Sequence, residues 1–550
     1  MGILEFKADK NQYVALAEKA DAEGNEMGAL SALRRAEELA PLDFGVRSRI
    51  AAVLVKMGLP DVAEDALLDY IAVRPEPPRE AYLTLLHIML DNGDYGLAEG
   101  VLMEAVAEDE DPTDLLTDLY NIAERERYSD EAPLRLVGDE ETIEAAETLA
   151  AEGRMDEAEE LARSMRRSES VAEALRAVIY HMITSGETAG AARLSEELLA
   201  RNERDGFAAA ALIAAGADAD GDGRLMRVAA AADPVSAREA DCLDDIMRIT
   251  ADCRTIPYFE RRLQDTPYDG DIMLTLAELY ANDGRPGKAR RILADLLAVY
   301  PGDSAAVYLM RELSAEDGAA RRFAITLQLQ PEERAARIAL TEKWLSGARN
   351  ARTAAKAAFA DAELTEAIEW LFQSELWKTQ SDAAGVLAAN ARGRIILRRQ
   401  LMQDIPPLLK RDYIAYLLEW APEKSVPVIF GYVYKRVELQ LKPEGEFRQA
   451  YIKAFATLAV YDCEDEERKL RKAYEEFVAA YGDAVAARAA TENMSDTDGI
   501  AALLLYLSRV GPFKTQDNCA SAVMIKRRAV KDYYTFYILG RYENERSAND

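Results

Sequence analysis

Small and apolar residues recur along this chain at the spacing of one helix face, in pairs of short stripes separated by a turn. Leu16, Ala17 and Ala20 make one stripe, and Ala29, Leu33 and Ala36 its partner. The same order returns as Ile50, Ala51 and Leu54 with Ala63, Leu67 and Tyr70, and again as Leu276, Ala277 and Tyr280 with Ala289, Leu293 and Leu296. Gly24, Gly58, Gly93, Gly153, Gly186 and Gly284 fall at or near the turns, where a left-handed backbone suits glycine. Prolines close the units: Pro41 to Pro75 is 34 residues, Pro234 to Pro267 is 33, and Pro267 to Pro301 is 34. The pattern predicts helix pairs stacked in series, small residues allowing close approach within a pair and large ones filling the grooves between pairs.

This unit resembles the tetratricopeptide repeat, with its small residue, Tyr-like residue, Ala, aromatic or Leu, Ala and Pro at fixed places in a period of about 34. The likeness covers about residues 10–43, 44–77, 79–111, 139–168, 172–201 and 270–301, and is weaker over 203–235 and 236–267. Tyr13, Arg47, Tyr82 and Met273 stand where the family carries Trp, so the repeats are divergent. The resemblance implies an all-α superhelix of antiparallel helix pairs. Residues 1–331 are expected to form this solenoid, and 332–550 an all-helical region of degenerate repeats or a separate helical domain. In that second region the periodicity predicts helices over Ala362–Trp377, Ala383–Gln403, Pro407–Trp420, Val426–Leu441, Phe447–Tyr461, Asp465–Tyr481, Thr497–Val510 and Asn518–Tyr537.

Charge divides the chain as sharply as the repeat does. Of a net −31, residues 1–300 hold −30 and residues 301–550 hold −1. No lysine occurs between Lys56 and Lys288, so arginine supplies every cation of that span, a choice that suits carboxylate forks. Such a surface attracts basic partners and disfavours nucleic acid and anionic membrane. The four cysteines form no C-x-x-C pair, and the opening MGILEFKADKNQYV shows neither a basic-then-apolar leader nor Ser or Thr at the sixth position, where it has Phe6. A cytoplasmic protein is expected, with free thiols.

Candidate chemistry is sparse. Asp218, Asp220, Asp222 and Gly223 match the start of a calcium-binding loop, but Ala229 stands where the bidentate Glu belongs, so the stretch reads as a turn rather than a metal site. Two histidines, His87 and His181, leave no material for a triad or a His-based metal centre, and no phosphate-loop or nucleophile-elbow motif occurs. No catalytic residue and no cofactor is expected. Arg392, Arg394, Arg398 and Arg399, and the cation–aromatic run Lys526–Tyr537, could grip phosphates, yet equally describe solvated helix faces.

What remains is binding. In the resembled family the first helix of each pair lines a concave groove, which here implies Asn11, Glu18, Glu80, His87, Arg176, Tyr180, Asp271, Leu274 and Glu278 as partner-facing residues. The cationic clamp of members that hold chaperone tails is absent, since its places carry Val14, Glu18, Arg49, Glu80 and Thr84. The expectation is a non-enzymatic scaffold or adaptor that holds a basic or mixed basic–apolar peptide or partner domain. The alternative is a regulatory protein whose repeats gate a C-terminal helical effector module, with nucleic-acid binding or an activity of its own. Self-association through the aromatic C-terminal half is a third possibility.

Overall fold

The computed structural model describes residues 9–74, 76–106, 139–216, 223–234, 236–315, 321–431, 433–439, 445, 447–461, 463, 467–480 and 497–547. The fold is an all-α solenoid of helix pairs, with one β-hairpin among the described residues. Two local devices legible in the sequence recur among the pairs. An aspartate or serine starts the first helix by accepting a backbone N–H three residues on: Asp9 from Gln12 at 3.0 Å, Asp43 from Val46 at 3.1 Å, Asp205 from Ala208 at 2.9 Å, Ser236 from Glu239 at 3.1 Å, Asp269 from Ile272 at 3.0 Å and Asp303 from Ala306 at 2.8 Å. A left-handed glycine ends it. At Gly24, Gly58, Gly93, Gly153, Gly186 and Gly284 φ lies between 72° and 86°. The residue after the glycine donates back five residues, as Leu59 does to Leu54 at 2.9 Å and Arg285 to Tyr280 at 2.8 Å.

At Gly284 an added Cβ would meet nothing within 4 Å, so only the backbone conformation resists a side chain. Gly284→Ala should therefore lower stability by about 1–2 kcal/mol without disturbing packing, checked by urea denaturation and an unchanged helical circular dichroism spectrum.

The first compact unit comprises Met1–Glu38 with Glu124–Ala335. Helices α1 (Lys10–Ala22) and α2 (Glu26–Leu39) open the chain. Arg34 ties α2 to the end of the helix Pro286–Val299, donating Nε to the Ala298 carbonyl at 2.8 Å and Nη2 to that of Val299 at 3.3 Å. Two carbonyls orphaned at a helix C-terminus thereby gain a cationic partner. The core runs from Ile143 to Phe323, and the helix Gly270–Asn282 is its most enclosed element, every residue from Ile272 to Ala281 being buried. A helix buried all round is normally apolar all round, yet this one includes Thr275 and Glu278. The repeat also runs one helix past Pro301: Ser304–Ser314 is capped by Asp303, 34 residues after Asp269.

The second unit comprises Leu39–Ala123 with Ala336–Asp550, so residues 39–123, which the repeat register joined to the 1–331 solenoid, cluster here with the C-terminal region. Its helix pairs Phe44–Lys56 with Pro60–Val73, and Arg79–Asn92 with Tyr95–Ala105, keep the repeat geometry. Helix Ala391–Leu401 packs on Pro60–Val73, with Arg399 Nε 2.6 Å from Asp69. The expected helix Val426–Leu441 is instead an antiparallel hairpin, β1 (Ser425–Phe430) and β2 (Val433–Glu438), in which Val426 faces Val437 and Phe430 faces Val433. Its apolar residues satisfy a helical period and a strand period equally. The β-branched Val426, Val428, Ile429, Val433 and Val437, with Gly431 at φ 57°, decide for the hairpin. Gly100 lets it close on helix Tyr95–Ala105, since a Cβ there would collide with the Tyr434 carbonyl. Arg436 Nη1 then donates to the Tyr82 hydroxyl at 3.1 Å and lies 3.6 Å from Glu104. Two other expected helices, Ala383–Gln403 and Asn518–Tyr537, are broken: Asn390 caps Ala391–Leu401 apart from Trp377–Leu387, and Gln516–Ala522 is separate from Arg527–Ser547, while the expected Ala362–Trp377 stops at Leu371.

Candidate functional site

The first helices of successive pairs touch one another in the first unit, and their shared face carries the polar side chains that apolar packing does not use. Helix Ser168–Ser185 places Glu173, Arg176 and Tyr180 on one stripe, spaced three and four apart. Arg176 Nη2 donates to Asp205 at 2.8 Å, and its Nη1 lies 3.6 Å from Glu239. Asp205 thus serves both as helix cap and as ion-pair partner. One turn on, the Tyr180 hydroxyl donates to Asp245 at 2.8 Å, and Asp245 also accepts from Arg248. Arg248 Nε reaches the buried Thr275 hydroxyl at 3.0 Å. Glu147 pairs with Arg238 and lies 3.8 Å from His181 Nε2. The result is a ladder of polar contacts, most of them between arginine and carboxylate, crossing the helices Asp139–Ala151, Ser168–Ser185 and Ala237–Thr250 and reaching Gly270–Asn282 at the Thr275 hydroxyl.

A small cleft of about 20 Å³ sits in this face among Ile143, Glu173, Arg176, Phe207, Arg238 and Cys242. Burial pushes the Cys242 thiol up to about 11 and holds the His181 imidazole below its ordinary value, so neither is a thiolate nor an imidazolium at neutrality. Chemically the face can dock charged and apolar groups.

The implied groove residues separate into three groups. Arg176, Tyr180, Asp271, Leu274 and Glu278 lie in the first unit on the elements just described, Asp271 exposed and Leu274 and Glu278 buried. Asn11 and Glu18 are exposed on α1, and Glu80 and His87 are exposed on Arg79–Asn92 of the second unit. Leu274 and Glu278 are buried, against the expectation that they face a partner, and residues 321–330 of the same chain bond Glu278. Glu278 accepts from Thr326 N–H at 2.9 Å and from Gln330 Nε2 at 2.9 Å. Sequence reasoning missed this contact, although the segment RRFAITLQLQ, amphipathic and bounded by Pro331, was there to be seen.

The basic cluster Arg392–Arg399 is engaged within the chain, whereas Lys526, Arg527, Arg528 and Lys531 are exposed. Arg398 is buried 3.1 Å from Glu423, Arg399 pairs with Asp69, and Arg392 stacks on Phe359 with its guanidinium 4.8 Å from the ring centre. In the C-terminal helix Arg527–Ser547, Tyr533 and Tyr537 are buried, while Arg527 and Arg528 are exposed near Asp517 and Asp532. Among the described residues no group of three or more His, Cys, Asp or Glu is placed to hold a metal, and Asp218, Asp220 and Asp222 lie outside the described residues. No described helix is long and apolar enough to cross a membrane.

The family profile of the tetratricopeptide repeat matches residues 254–313, which span helices Ile256–Asp265, Gly270–Asn282, Pro286–Val299 and most of Ser304–Ser314. No curated protein matches the chain by sequence. Among solved structures, the human IFIT1 dimer with m7Gppp-AAAA is 16% identical over 72% of this chain and 91% of that one, with a TM-score of 0.24. A monomeric mutant of IFIT1 with the same cap-bearing ligand is 16% identical over 65% and 79%, TM-score 0.23. Naa15/Naa10 bound to HypK-THB is 13% identical over 94% and 89%, TM-score 0.15. Superpositions this loose leave the assignment to the repeat profile and to the caps and turns that build each helix pair. On that evidence the chain carries divergent tetratricopeptide repeats, matched by profile over residues 254–313.

Proposed function

We propose that the protein is a non-enzymatic interaction scaffold whose first unit receives a basic or mixed basic–apolar protein segment on its first-helix face. The observation that carries this is the acid left over on that face. Glu147, Glu173, Asp205, Glu239, Asp245 and Asp271 share it with only Arg176, Arg238 and Arg248, so carboxylates outnumber the guanidinium groups two to one even after the ladder has formed. Field lines from such a face steer cations inward and phosphates away, which favours a protein partner over nucleic acid.

The test is copurification from the native host with and without Glu173→Lys and Asp271→Lys, which reverse charge at sites outside the apolar core. Partner recovery should fall at least tenfold in the double variant, and wild-type recovery should decline as salt rises, since the attraction is screened over roughly 10 Å at 0.1 M. Undiminished recovery by the charge-reversed chain overturns the reading.

A further inference from the structure

The segment 321–330 leaves the solenoid pattern altogether: it carries no helix, and its backbone bonds side chains of Gly270–Asn282. The contacts that hold it are those by which a groove holds a peptide. Asn282 grips the backbone of one residue from both sides, donating Nδ2 to the Phe323 carbonyl at 2.8 Å and accepting the Phe323 N–H on Oδ1 at 2.8 Å. One helical turn away, Glu278 accepts the Thr326 N–H. Gln330 braces the segment, bonding the N–H and carbonyl of Ala324 at 2.9 Å each. Contacts to backbone read extended conformation and not side-chain identity, so any extended chain could satisfy Asn282 and Glu278.

Identity enters through two side chains. Phe323 is 5% exposed and belongs to the core of the unit, with Ile325 packed beside it. Arg321 lies over the Tyr308 and Phe323 rings at 6.0 and 5.8 Å and pairs with Glu312 at 2.6 Å. An aromatic anchor follows a cation by two residues. That is the basic–apolar chemistry argued for the partner, here supplied by the chain itself.

We propose that helix Gly270–Asn282 is a peptide-receiving site occupied in cis by residues 321–330, and that its ligand in trans is an extended partner segment with Arg two residues before Phe, followed by small or aliphatic residues. This rests on the scaffold reading and specifies its ligand. A tethered occupant competes at an effective concentration on the order of millimolar, so an incoming segment gains strongly when the tether's hold is weakened.

Two measurements test it, both on the full chain and with a fluorescent peptide RRFAITLQLQ as probe. In wild type, millimolar peptide should accelerate hydrogen exchange at the Phe323 and Thr326 amides, the two donors to Asn282 and Glu278. In the variant Phe323→Ala/Thr326→Pro, which removes the anchor and one amide donor, fluorescence anisotropy should show binding at least tenfold tighter than to wild type. Adding Asn282→Ala should abolish that gain, and a peptide with its first arginine changed to glutamate should bind more weakly. The wild-type exchange measurement stands even where the variant does not fold. Unchanged exchange at both amides, or an opened and folded variant that binds no peptide, overturns the proposal. Partner loss on charge reversal at Glu173 and Asp271 combined with no peptide binding leaves the scaffold reading standing and removes only this site.

Discussion

Asp244→Ala should destabilise the first unit by about 3–5 kcal/mol, enough to unfold a marginal domain. Asp244 is 4% exposed and lies on Ala237–Thr250 among Ala240, Leu243 and Met247, that is, inside the stripe that faces the core. Its carboxylate accepts from the Tyr258 hydroxyl at 2.6 Å and from Arg262 Nη2 at 3.1 Å, both on the following helix Ile256–Asp265. Burial raises its pKa although Arg262 and Tyr258 pull the other way, so desolvation outweighs the pairing and the trio is no great source of net stability. The large loss on truncation arises instead from what alanine leaves behind: a half-buried guanidinium and a fully buried phenol without their acceptor. Asp244→Asn keeps one acceptor and should cost about 1–3 kcal/mol. Urea denaturation followed by circular dichroism separates the two. Equal small losses for both variants would mean that Arg262 finds another partner.

Glu278→Gln should remove a pH dependence from the stability of the same unit. Glu278 is 1% exposed, and burial pushes its carboxyl up to about 9, helped by Asp303 and opposed by the Thr326 N–H, Gln330 and Arg248. In the unfolded chain the carboxyl titrates near its ordinary 4.5. Between those values the folded chain holds a proton that the unfolded chain has released, so this contribution is fully present below the lower value and is lost as pH rises, by up to about 1.4 kcal/mol per pH unit. The stability of wild type minus that of Glu278→Gln should therefore shrink from about pH 5 to about pH 8. Taking the difference cancels other raised acids of the chain, Asp244 among them. A difference flat with pH would show the carboxyl ionised in the fold. The same titration bears on residues 321–330, since Glu278 is one of the two side chains that hold their backbone.

The candidate face was legible in part. Arg176 and Tyr180 were placed by repeat position alone, because a helix of known phase presents known residues to one side. Their partners Asp205, Glu239 and Asp245 were not, since each sits in a different repeat and only stacking brings them within 4 Å. The Asp244 trio had a signal, an acid within an apolar stripe facing a Tyr–Arg pair four residues apart, and it lies in the repeat whose family likeness is weakest. The hairpin Ser425–Glu438 was misread because a short apolar run fits both periods and its strand pairing is a contact between residues up to thirteen apart.

What the sequence determined by itself is whatever neighbours decide: the helix pairs, their aspartate caps, their glycine turns and the length of the unit. These depend on backbone groups within five residues of one another, and so the composition of each turn is enough to read them. What the tertiary structure alone decided is which faces stay open. Glu278 occupies a groove position by register, yet a stretch some fifty residues later packs on it, held by Asn282 and Glu278 through its backbone. Contacts made to backbone leave almost no trace in side-chain pattern, which is why this contact is invisible in the sequence and plain in the fold.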